Sequence, residues 1–366
     1  TDDGDLNHYH GSYRLGLLDG SLQFEGPIRK GKTSFNFGLR RSWIDLLSRP
    51  AFALYNKSST SDDKLNLCYF FHDLNAKITN IFDNRNRMSL SVYSGEDKMS
   101  TKDDSNDDYG TSYSDKDLTK NDFNWGNFNM ALLFEHQFSP KLFANFNAVY
   151  TYNISKYKSQ EDESSKKEQN ILNESHYEHE YKSSIRDYGY RMSFDYRPSP
   201  HHHIRFGNDF TWHFFHPQTR NLISSDTSMG NDTTFMSSKI NYPARECSLY
   251  AEDEMIINDH WSINAGVNAS LFSIHGKTFS NFNPRFAIKY QPLTNLSFKA
   301  SYTSMTQYVH KISNSFLELP TDYWVPTTEI LHPMNSWQLT AGAYFQPETH
   351  WLISLEGYYK HSNHLL

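Results

Sequence analysis

Apolar and polar residues alternate along most of this chain with a period of two. The stretch 127–138 is an example, because its even positions carry mainly large apolar side chains: Phe128, Met130, Leu132 and Phe134. The odd positions between them include Asn, Glu and Gln. The same pattern returns in the segments 142–155, 261–271, 296–302 and 337–345. A period of two predicts β-strands with one apolar and one polar face.

The length of these segments narrows the fold class. Most span about ten residues, whereas strands of globular proteins average about five or six. A tilted strand needs about nine to eleven residues to cross the hydrocarbon of a bilayer. We therefore predict an all-β fold, an antiparallel transmembrane β-barrel with about fifteen strands in a meander, forming a single domain over residues 1–366.

Short and long connections alternate between the predicted strands. Short turns are predicted at 83–86, 138–140, 197–203, 258–260, 291–295 and 346–348. Long polar loops are predicted at 48–64, 96–121, 158–175, 217–244 and 303–333, with a shorter one at 274–283. Outer-membrane barrels show this asymmetry, with short turns in the periplasm and long loops outside the cell.

Composition adds to this prediction. The net charge of −7 argues against a nucleic-acid partner, which would require a basic surface. The chain contains 24 Tyr and 26 Phe, and rings are expected where strands pass the membrane interface. We assign most of the large rings near predicted strand ends to such a girdle, with sugar stacking as the alternative: Trp43, Tyr93, Trp125, Trp212, Trp261, Trp337 and Trp351.

Two features invite a metal site, and we favour simpler interpretations of both. His201, His202 and His203 are consecutive, so their side chains alternate on an extended chain and cannot all face one ion. The acidic stretches 103–108 and 161–163 match no calcium-binding loop. The two cysteines, Cys68 and Cys247, are interpreted as free thiols. We predict no metal, no cofactor and no catalytic residue.

Charged residues within the predicted strands fall on the polar face. A charge facing lipid costs about 2–4 kcal/mol at mid-bilayer. We therefore expect these side chains to line the lumen: Arg40, Glu135, Arg205, Asp209, Lys299 and Glu356, with Lys360 as a further member.

Two stretches resemble one particular barrel family. They are 25–45, which contains Glu-Gly-Pro-Ile-Arg-Lys-Gly-Lys-Thr and Arg-Arg-Ser-Trp-Ile-Asp, and 307–327, which contains Gln-Tyr-Val-His-Lys-Ile and Leu-Pro-Thr-Asp-Tyr-Trp-Val-Pro-Thr. Shorter matches are Asn-Pro-Arg at 283–285 and Gly-Tyr-Tyr-Lys at 357–360. These segments are similar to TonB-dependent outer-membrane transporters of the Bacteroidetes type, and the resemblance extends over nearly the whole chain in one order.

The resemblance implies a barrel of about 22 strands with a plug inside it. It also implies that the lumen-lining charges named above, Arg40, Glu135, Arg205, Asp209, Lys299 and Glu356, face that plug. This chain resembles the first two-thirds of such a barrel, so the plug, the TonB-contacting segment and the last strands are expected to lie outside it. The implied partners are outer-membrane lipid, the plug, TonB and a nutrient, which could be a siderophore, a vitamin, a glycan or a peptide. The implied location is the outer membrane of a Gram-negative bacterium.

The loop 303–333 is the strongest substrate-binding candidate, because it mixes rings with hydrogen-bonding groups. The candidate residues are Gln307, Tyr308, His310, Asp322, Tyr323 and Trp324. The alternative is that this segment is structural and folds onto the barrel wall.

Other functions remain open at this point. A passive porin or a secreted adhesive sheet would also show alternating strands. A barrel hydrolase could use His310 and Asp322 with Ser313 or Ser315, but no Gly-x-Ser-x-Gly elbow accompanies them. We therefore expect a transporter and not an enzyme.

Overall fold

The computed structural model describes residues 2–58, 63–108, 113–167, 170–227, 232–312 and 323–365. These ranges contain one helix, α1 (Ile44–Ser58), among antiparallel strands. The strands are β1 (His10–Leu15), β2 (Asp19–Arg29), β3 (Thr33–Ser42), β4 (Lys64–Ile81), β5 (Asn86–Asp108), β6 (Tyr113–Ser139), β7 (Leu142–Lys167), β8 (Asn170–Ser199), β9 (His202–Asp226), β10 (Asp232–Lys239), β11 (Tyr242–Ile256), β12 (Trp261–Ile274), β13 (Lys277–Leu293), β14 (Leu296–Gln307), β15 (Val309–Ile312), β16 (Tyr323–Pro326), β17 (Met334–Glu348) and β18 (Trp351–Asn363).

The strands form one large meander. Each strand pairs with the next one along the chain, from β1 to β9, then β11 to β14, then β17 and β18. The sheet counts 16 strands, because β10 also pairs with β9, while β15 and β16 form a separate two-stranded sheet. The predicted all-β fold and its consecutive antiparallel order are confirmed.

The alternation in sequence becomes two chemically distinct faces of the sheet. One row of paired residues runs Leu90, Leu132, Ala148, Tyr190 and Phe210 across five neighbouring strands. Large apolar side chains in this row are solvent-accessible, as in Leu132 at 40% and Tyr190 at 42%. We call the surface containing this row the apolar face. Cross-strand partners lie on the same face of a sheet, so the register assigns every paired residue either to the apolar face or to the opposite surface.

The opposite surface, which we call the polar face, carries the intervening residues. One row of partners there is Ser34, Thr79 and Ser89, and a second is Asn36, Lys77 and Ser91. Ser34, Thr79 and Ser89 are all buried, although they lie on the polar face, because other parts of the chain cover this face. The sheet therefore offers exposed hydrocarbon on one side and partly covered polar groups on the other.

The predicted loops at 96–121 and 158–175 are wrong for the most part. Strands β5, β6, β7 and β8 continue through most of these segments and reach 23, 27, 26 and 30 residues. About ten residues of each are needed to cross the hydrocarbon. The remainder extends beyond it, where side chains no longer have to be apolar on either face. The sequence pattern is lost there, but backbone pairing continues.

Two other predicted loops also contain regular structure. In 217–244, β9 continues to Asp226 and β10 pairs back onto it. In 48–64, the chain forms most of α1, which begins at Ile44. The buried carboxylate of Asp45 lies in the first turn of α1 and accepts a hydrogen bond of 3.0 Å from Arg41. An acidic residue at this end complements the helix dipole. Among the described residues, no helix is long and apolar enough to cross a membrane.

Candidate functional site

The predicted substrate loop, 303–333, is divided into three parts by the structure. Its start completes β14, and β15 and β16 then form a short hairpin. Between these two strands, residues 313–322 lie outside the described residues, and they include the candidate Asp322 together with Ser313 and Ser315. The geometry of a serine hydrolase site is therefore not described by this structure.

Tyr308 fixes this hairpin to the polar face of the sheet. Its side chain is 3% exposed, and its ring stacks on Phe272 of β12 with centroids 4.9 Å apart and planes 7° apart. The phenol oxygen lies 2.7 Å from Ser270 Oγ and accepts a hydrogen bond of 2.9 Å from Asn281 Nδ2. Tyr308 thus joins the loop to two neighbouring strands, β12 and β13.

A small apolar cluster surrounds this contact. It consists of Phe215, Ala244, Phe272, Ile274 and Tyr308, and each member is at most 4% exposed. These residues come from β9, β11, β12 and the start of the hairpin. The cluster lies on the polar face, so the loop creates a hydrophobic contact where the sheet alone would present only scattered rings.

His310 is the most deeply buried member of the predicted substrate set. It is 0% exposed, and its Nε2 lies 3.0 Å from Thr327 Oγ1 across the hairpin. Burial lowers the pKa of His310, because the charged imidazolium is poorly solvated there. The neutral ring therefore belongs to the folded hairpin.

The remaining described candidates are more accessible. The Gln307 side chain is exposed, although its Nε2 donates to the Val309 carbonyl at 2.6 Å. Trp324 is 36% exposed, and Tyr323 is half-buried. Tyr308 and His310 have a structural function in the hairpin. Direct ligand binding by this set stays a prediction, with Gln307 and Trp324 as the side chains best exposed for it.

The six charged residues predicted to line a lumen share the polar face. In the register, Arg205 pairs with Glu252 and Asp195, and Lys299 pairs with Lys289 and Gly342. The register also places the other four members, Arg40, Glu135, Asp209 and Glu356, on the polar face.

These charges form contacts between neighbouring strands. Arg205 Nε lies 2.7 Å from Glu252, and Arg40 lies 2.5 Å from Asp19. Other contacts of the set include the ion pair of Asp209 with Arg191, the pair of Glu135 with Arg87 at 3.5 Å, the packing of Lys299 on Tyr344 at 4.6 Å, and the hydrogen bond from Tyr344 to Glu356 at 2.6 Å. The polar face is therefore a charged wall whose polar groups are partly paired with one another.

The segment before β1 also lies against this wall, which the sequence analysis did not predict. The Asp3 carboxylate contacts Lys77 Nζ at 2.6 Å and Thr79 Oγ1 at 3.2 Å, and it also pairs with Arg87. Ser34 Oγ donates to the Asp3 carbonyl at 2.6 Å. Three strands, β3, β4 and β5, thereby hold one residue near their short-turn ends.

Gly4 permits this close approach. It adopts a φ of +76°, and a Cβ there would lie 2.2 Å from the Phe35 carbonyl oxygen. A residue with a side chain would both strain the backbone and collide with β3. An Asp-Gly pair is common in turns, so the sequence offered no specific signal for this contact.

The predicted aromatic girdle requires a correction. Trp212, Trp261 and Trp351 are on the apolar face and are 41%, 38% and 66% exposed, as expected for the girdle. Tyr93 and Trp125 instead lie on the polar face, and Tyr93 donates a hydrogen bond of 2.9 Å to Asp73. Proximity to a strand end did not specify the face, which depends on whether the position is odd or even.

Of the three consecutive histidines, His202 and His203 make separate side-chain contacts. His202 Nδ1 lies 2.7 Å from Asp253, whereas His203 Nε2 lies 2.6 Å from Asp195 on the other face. In the described part of the chain, no group of three or more His, Cys, Asp or Glu side chains has the geometry to hold a metal ion.

Comparisons with known proteins now become informative. A model of the family described as "TonB dependent receptor-like, beta-barrel" matches residues 58–366. No curated protein matches the sequence. Among solved structures, the siderophore receptor PiuA from Acinetobacter baumannii superposes with a TM-score of 0.56 at 12% identity, and the match covers 96% of this chain and 56% of that one.

A second set of similar structures comes from a peptide transporter. The RagAB peptide transporter gives a TM-score of 0.54 at 9% identity over 94% of this chain and 44% of that chain. Its 'open-open' state gives 0.56 at 9% identity with the same coverage. At these identities the likeness concerns the fold alone. This chain spans about half the length of the structures it matches.

The fold is that of an outer-membrane barrel, and its apolar face is the surface that lipid covers. The chain belongs to the TonB-dependent receptor-like β-barrel family. Members of this family and the similar structures are receptors and transporters of the Gram-negative outer membrane.

Proposed function

We propose that this chain forms part of the barrel of an outer-membrane receptor that imports a nutrient with energy supplied through TonB. The observation that carries the proposal is the charged polar face together with the family match over residues 58–366. The polar face already binds one acidic segment, at Asp3, and a wall that holds a plug needs groups of this kind.

The proposed partners follow from this arrangement. Lipid would contact the apolar face, and a plug domain would contact the polar face. The contacts of Asp3 with Lys77, Thr79 and Arg87 illustrate how an acidic segment is held there. TonB would act through the plug. We include no nucleic acid among the partners and assign no enzymatic reaction.

The nutrient would first meet the extracellular side of the barrel. We propose that Gln307, Tyr308, His310, Asp322, Tyr323 and Trp324 contribute to its binding, with the buried Tyr308 and His310 positioning the hairpin. Accordingly, Trp324→Ala should weaken uptake. Trp351→Ala, which removes an exposed tryptophan at the short-turn end of β18, is the matched control.

The test compares uptake with and without TonB. Gram-negative cells expressing the full receptor that contains this chain are incubated in nutrient mixture, and depletion of individual compounds is followed by mass spectrometry. We expect at least one compound to be removed only when both the receptor and TonB are present. Uptake that persists without TonB, together with steady single-channel conductance in planar bilayers, would instead identify a passive porin.

A further inference from the structure

The polar face carries a row of rings that the transport model does not use. It crosses six adjacent strands, from β4 to β9, as a series of register partners. We call this set the aromatic row, and its members are Tyr69, Met99, Phe123, Tyr157, Tyr181 and Arg220. No other residue interrupts it, since each member is the direct cross-strand partner of the next.

Three of the four rings of the aromatic row, Phe123, Tyr157 and Tyr181, are stacked on one another. Phe123 and Tyr157 have centroids 4.6 Å apart with planes at 29°, and Tyr157 and Tyr181 have centroids 6.1 Å apart with planes at 9°. The guanidinium of Arg220 lies 5.7 Å from the Tyr181 centroid. The row therefore ends in a cation held against a ring.

Polar groups border the rings. Tyr157 and Ser159 both donate to Asn121 Oδ1 at 2.9 Å, and Tyr69 donates to Asp97 at 2.8 Å. The rings themselves are half-buried, and Arg220 is exposed. Since the ring faces are turned to one another and to Arg220, the ring edges are the apolar parts left to meet a solute on an otherwise hydrogen-bonding surface.

The aromatic row lies on the extracellular side of the membrane. Each member is more than about eleven residues from the short-turn end of its strand, and about nine to eleven residues suffice to cross the hydrocarbon. The row is therefore placed in the strand extensions above the bilayer and faces the interior. A solute entering the barrel from outside passes this surface.

Lipid cannot account for rings at this position. Aromatic residues on the apolar face meet hydrocarbon or the membrane interface, whereas the aromatic row faces the opposite side and lies above the bilayer. Cross-strand ring pairs do stabilise sheets. A single pair of rings is enough for that stabilisation, and it does not require an exposed arginine at the end of the row.

We propose that the aromatic row binds a nutrient that bears a flat unsaturated ring and a carboxylate. The ligand ring packs against the edges of Phe123, Tyr157 and Tyr181, in the edge-to-face arrangement that aromatic pairs favour, and its carboxylate pairs with the Arg220 guanidinium. This inference rests on the proposed function, because it names the chemical class of the imported compound and the surface that it first meets.

Photo-crosslinking with 4-benzoylbenzoate tests this proposal, since the probe combines an aromatic ketone with a carboxylate. Cells expressing the full receptor are irradiated with the probe, and the modified peptides are mapped by mass spectrometry. We expect adducts concentrated in the extracellular halves of β6 to β9. Labelling should fall about five- to tenfold in Tyr157→Leu and in Arg220→Gln.

Matched controls exist on the other face. Arg186 lies over the Tyr152 ring at 5.4 Å, in the same kind of contact as Arg220 but on the apolar face. Arg186→Gln and Tyr150→Leu should leave labelling unchanged. Uncharged benzophenone should label the wild-type row less than the carboxylate does and should not respond to Arg220→Gln.

Two results would overturn the proposal: adducts spread evenly over the barrel, or equal labelling in Tyr157→Leu and in wild type. Circular dichroism and protease resistance establish that each variant is folded, and Tyr157→Phe keeps the ring and should keep the labelling. The outcome is separable from the transport test. Labelling of the row without TonB-dependent uptake contradicts the proposed function alone, and TonB-dependent uptake with unaltered labelling contradicts the aromatic row alone.

Discussion

Individual side chains hold two segments outside the large sheet against its polar face. Tyr308 holds the hairpin through hydrogen bonds with Ser270 and Asn281. Asp3 holds the segment before β1 through an ion pair with Lys77 and a hydrogen bond with Thr79. Their buried partners, Ser270 and Thr79, are costly to leave without a hydrogen bond. Single substitutions at these positions should therefore loosen a segment without unfolding the sheet.

Tyr308→Phe tests the hydrogen bonds that hold the hairpin against the sheet. The ring would still stack on Phe272, but Ser270 and Asn281 would lose a shared partner, which costs about 1–3 kcal/mol. Amide hydrogen exchange in β15 and β16 should become about tenfold faster or more, while exchange in β12 stays slow. Tyr290→Phe, on the apolar face, is the control, and equal exchange in both variants would contradict this role for the hydroxyl.

His310 makes the hairpin sensitive to pH. Burial lowers its pKa in the folded state below the unfolded value of about 6.5, so the stabilising condition is the neutral ring. The hairpin is then fully stable above that unfolded pKa and loses stability as the pH falls below it. Hydrogen exchange in β15, corrected for intrinsic rates, should accelerate between about pH 7 and pH 5.

His310→Gln should abolish this pH dependence, whereas replacement of the exposed turn residue His260 should not. An unchanged pH profile in His310→Gln would show that another group controls opening of the hairpin. Because Thr327 lies 3.0 Å from His310 Nε2, Thr327→Val should loosen the hairpin at every pH.

Whole elements show where pattern-based prediction succeeds and where it fails. In the bilayer, each strand must present apolar side chains to lipid, so the alternation in 127–138 is unmistakable and predicts β6 correctly. Beyond the bilayer that requirement ends. Segments such as 158–167 keep backbone pairing with no apolar signal, and they were predicted as loops. The aromatic row was missed for the same reason, since Met99 and Arg220 lie in such segments.

The site was predictable to a similar extent. The alternation along each strand is enough to place Arg40, Arg205 and Lys299 on the polar face, because a charge that faces lipid is so unfavourable. The burial of Tyr308 and His310 depends on contacts between residues far apart in sequence. No local pattern encodes those contacts, so the sequence identified the loop but not its folded position.

Carboxylates lie close together in the strand extensions, and the repulsion between them offers a third test. Desolvation raises the pKa of Asp117, and the nearby carboxylates of Glu163, Asp115 and Asp107 raise it further. A raised folded-state pKa means that protonation favours the folded extension, so stability falls as the pH rises through the pKa values of this carboxylate. Asp117→Asn should slow hydrogen exchange in β6 and β7 at pH 7.

This stabilisation should vanish at about pH 3, where the wild-type carboxylate is also protonated. The effect is small, because Asp117 is exposed and solvent screens its neighbours. Asp122→Asn is a control on the opposite face of the same strand. Faster exchange in Asp117→Asn at neutral pH would contradict the repulsion argument.

At the scale of the molecule, the described sheet has two edges. β1 and β18 each pair with one neighbour only among the described residues, and nearly all of their side chains are exposed. Unpaired backbone groups are not tolerated in hydrocarbon. A transmembrane sheet of this kind needs both edges to be joined through further pairing.

The fourth prediction follows from these edges. Residues 1–366 produced alone and refolded with lipid vesicles should form aggregates or remain protease-sensitive, whereas the full receptor should give a protease-resistant monomer. Gel filtration in detergent and limited proteolysis distinguish the two results. A stable, protease-resistant monomer of the isolated stretch would show that its own edges can meet.

The longest strand, β8, has 30 residues, and a strand rises about 3.3 Å per residue. At a tilt of about 45° it rises about 70 Å, of which the hydrocarbon takes up only about 30 Å. The rest stands above the lipid surface, where the extensions of β5 to β9 remain paired with one another. Antibodies and bacteriophages would meet these strand extensions before they reach the membrane, so the extensions are the part of the described sheet best placed for contact with other particles at the cell surface.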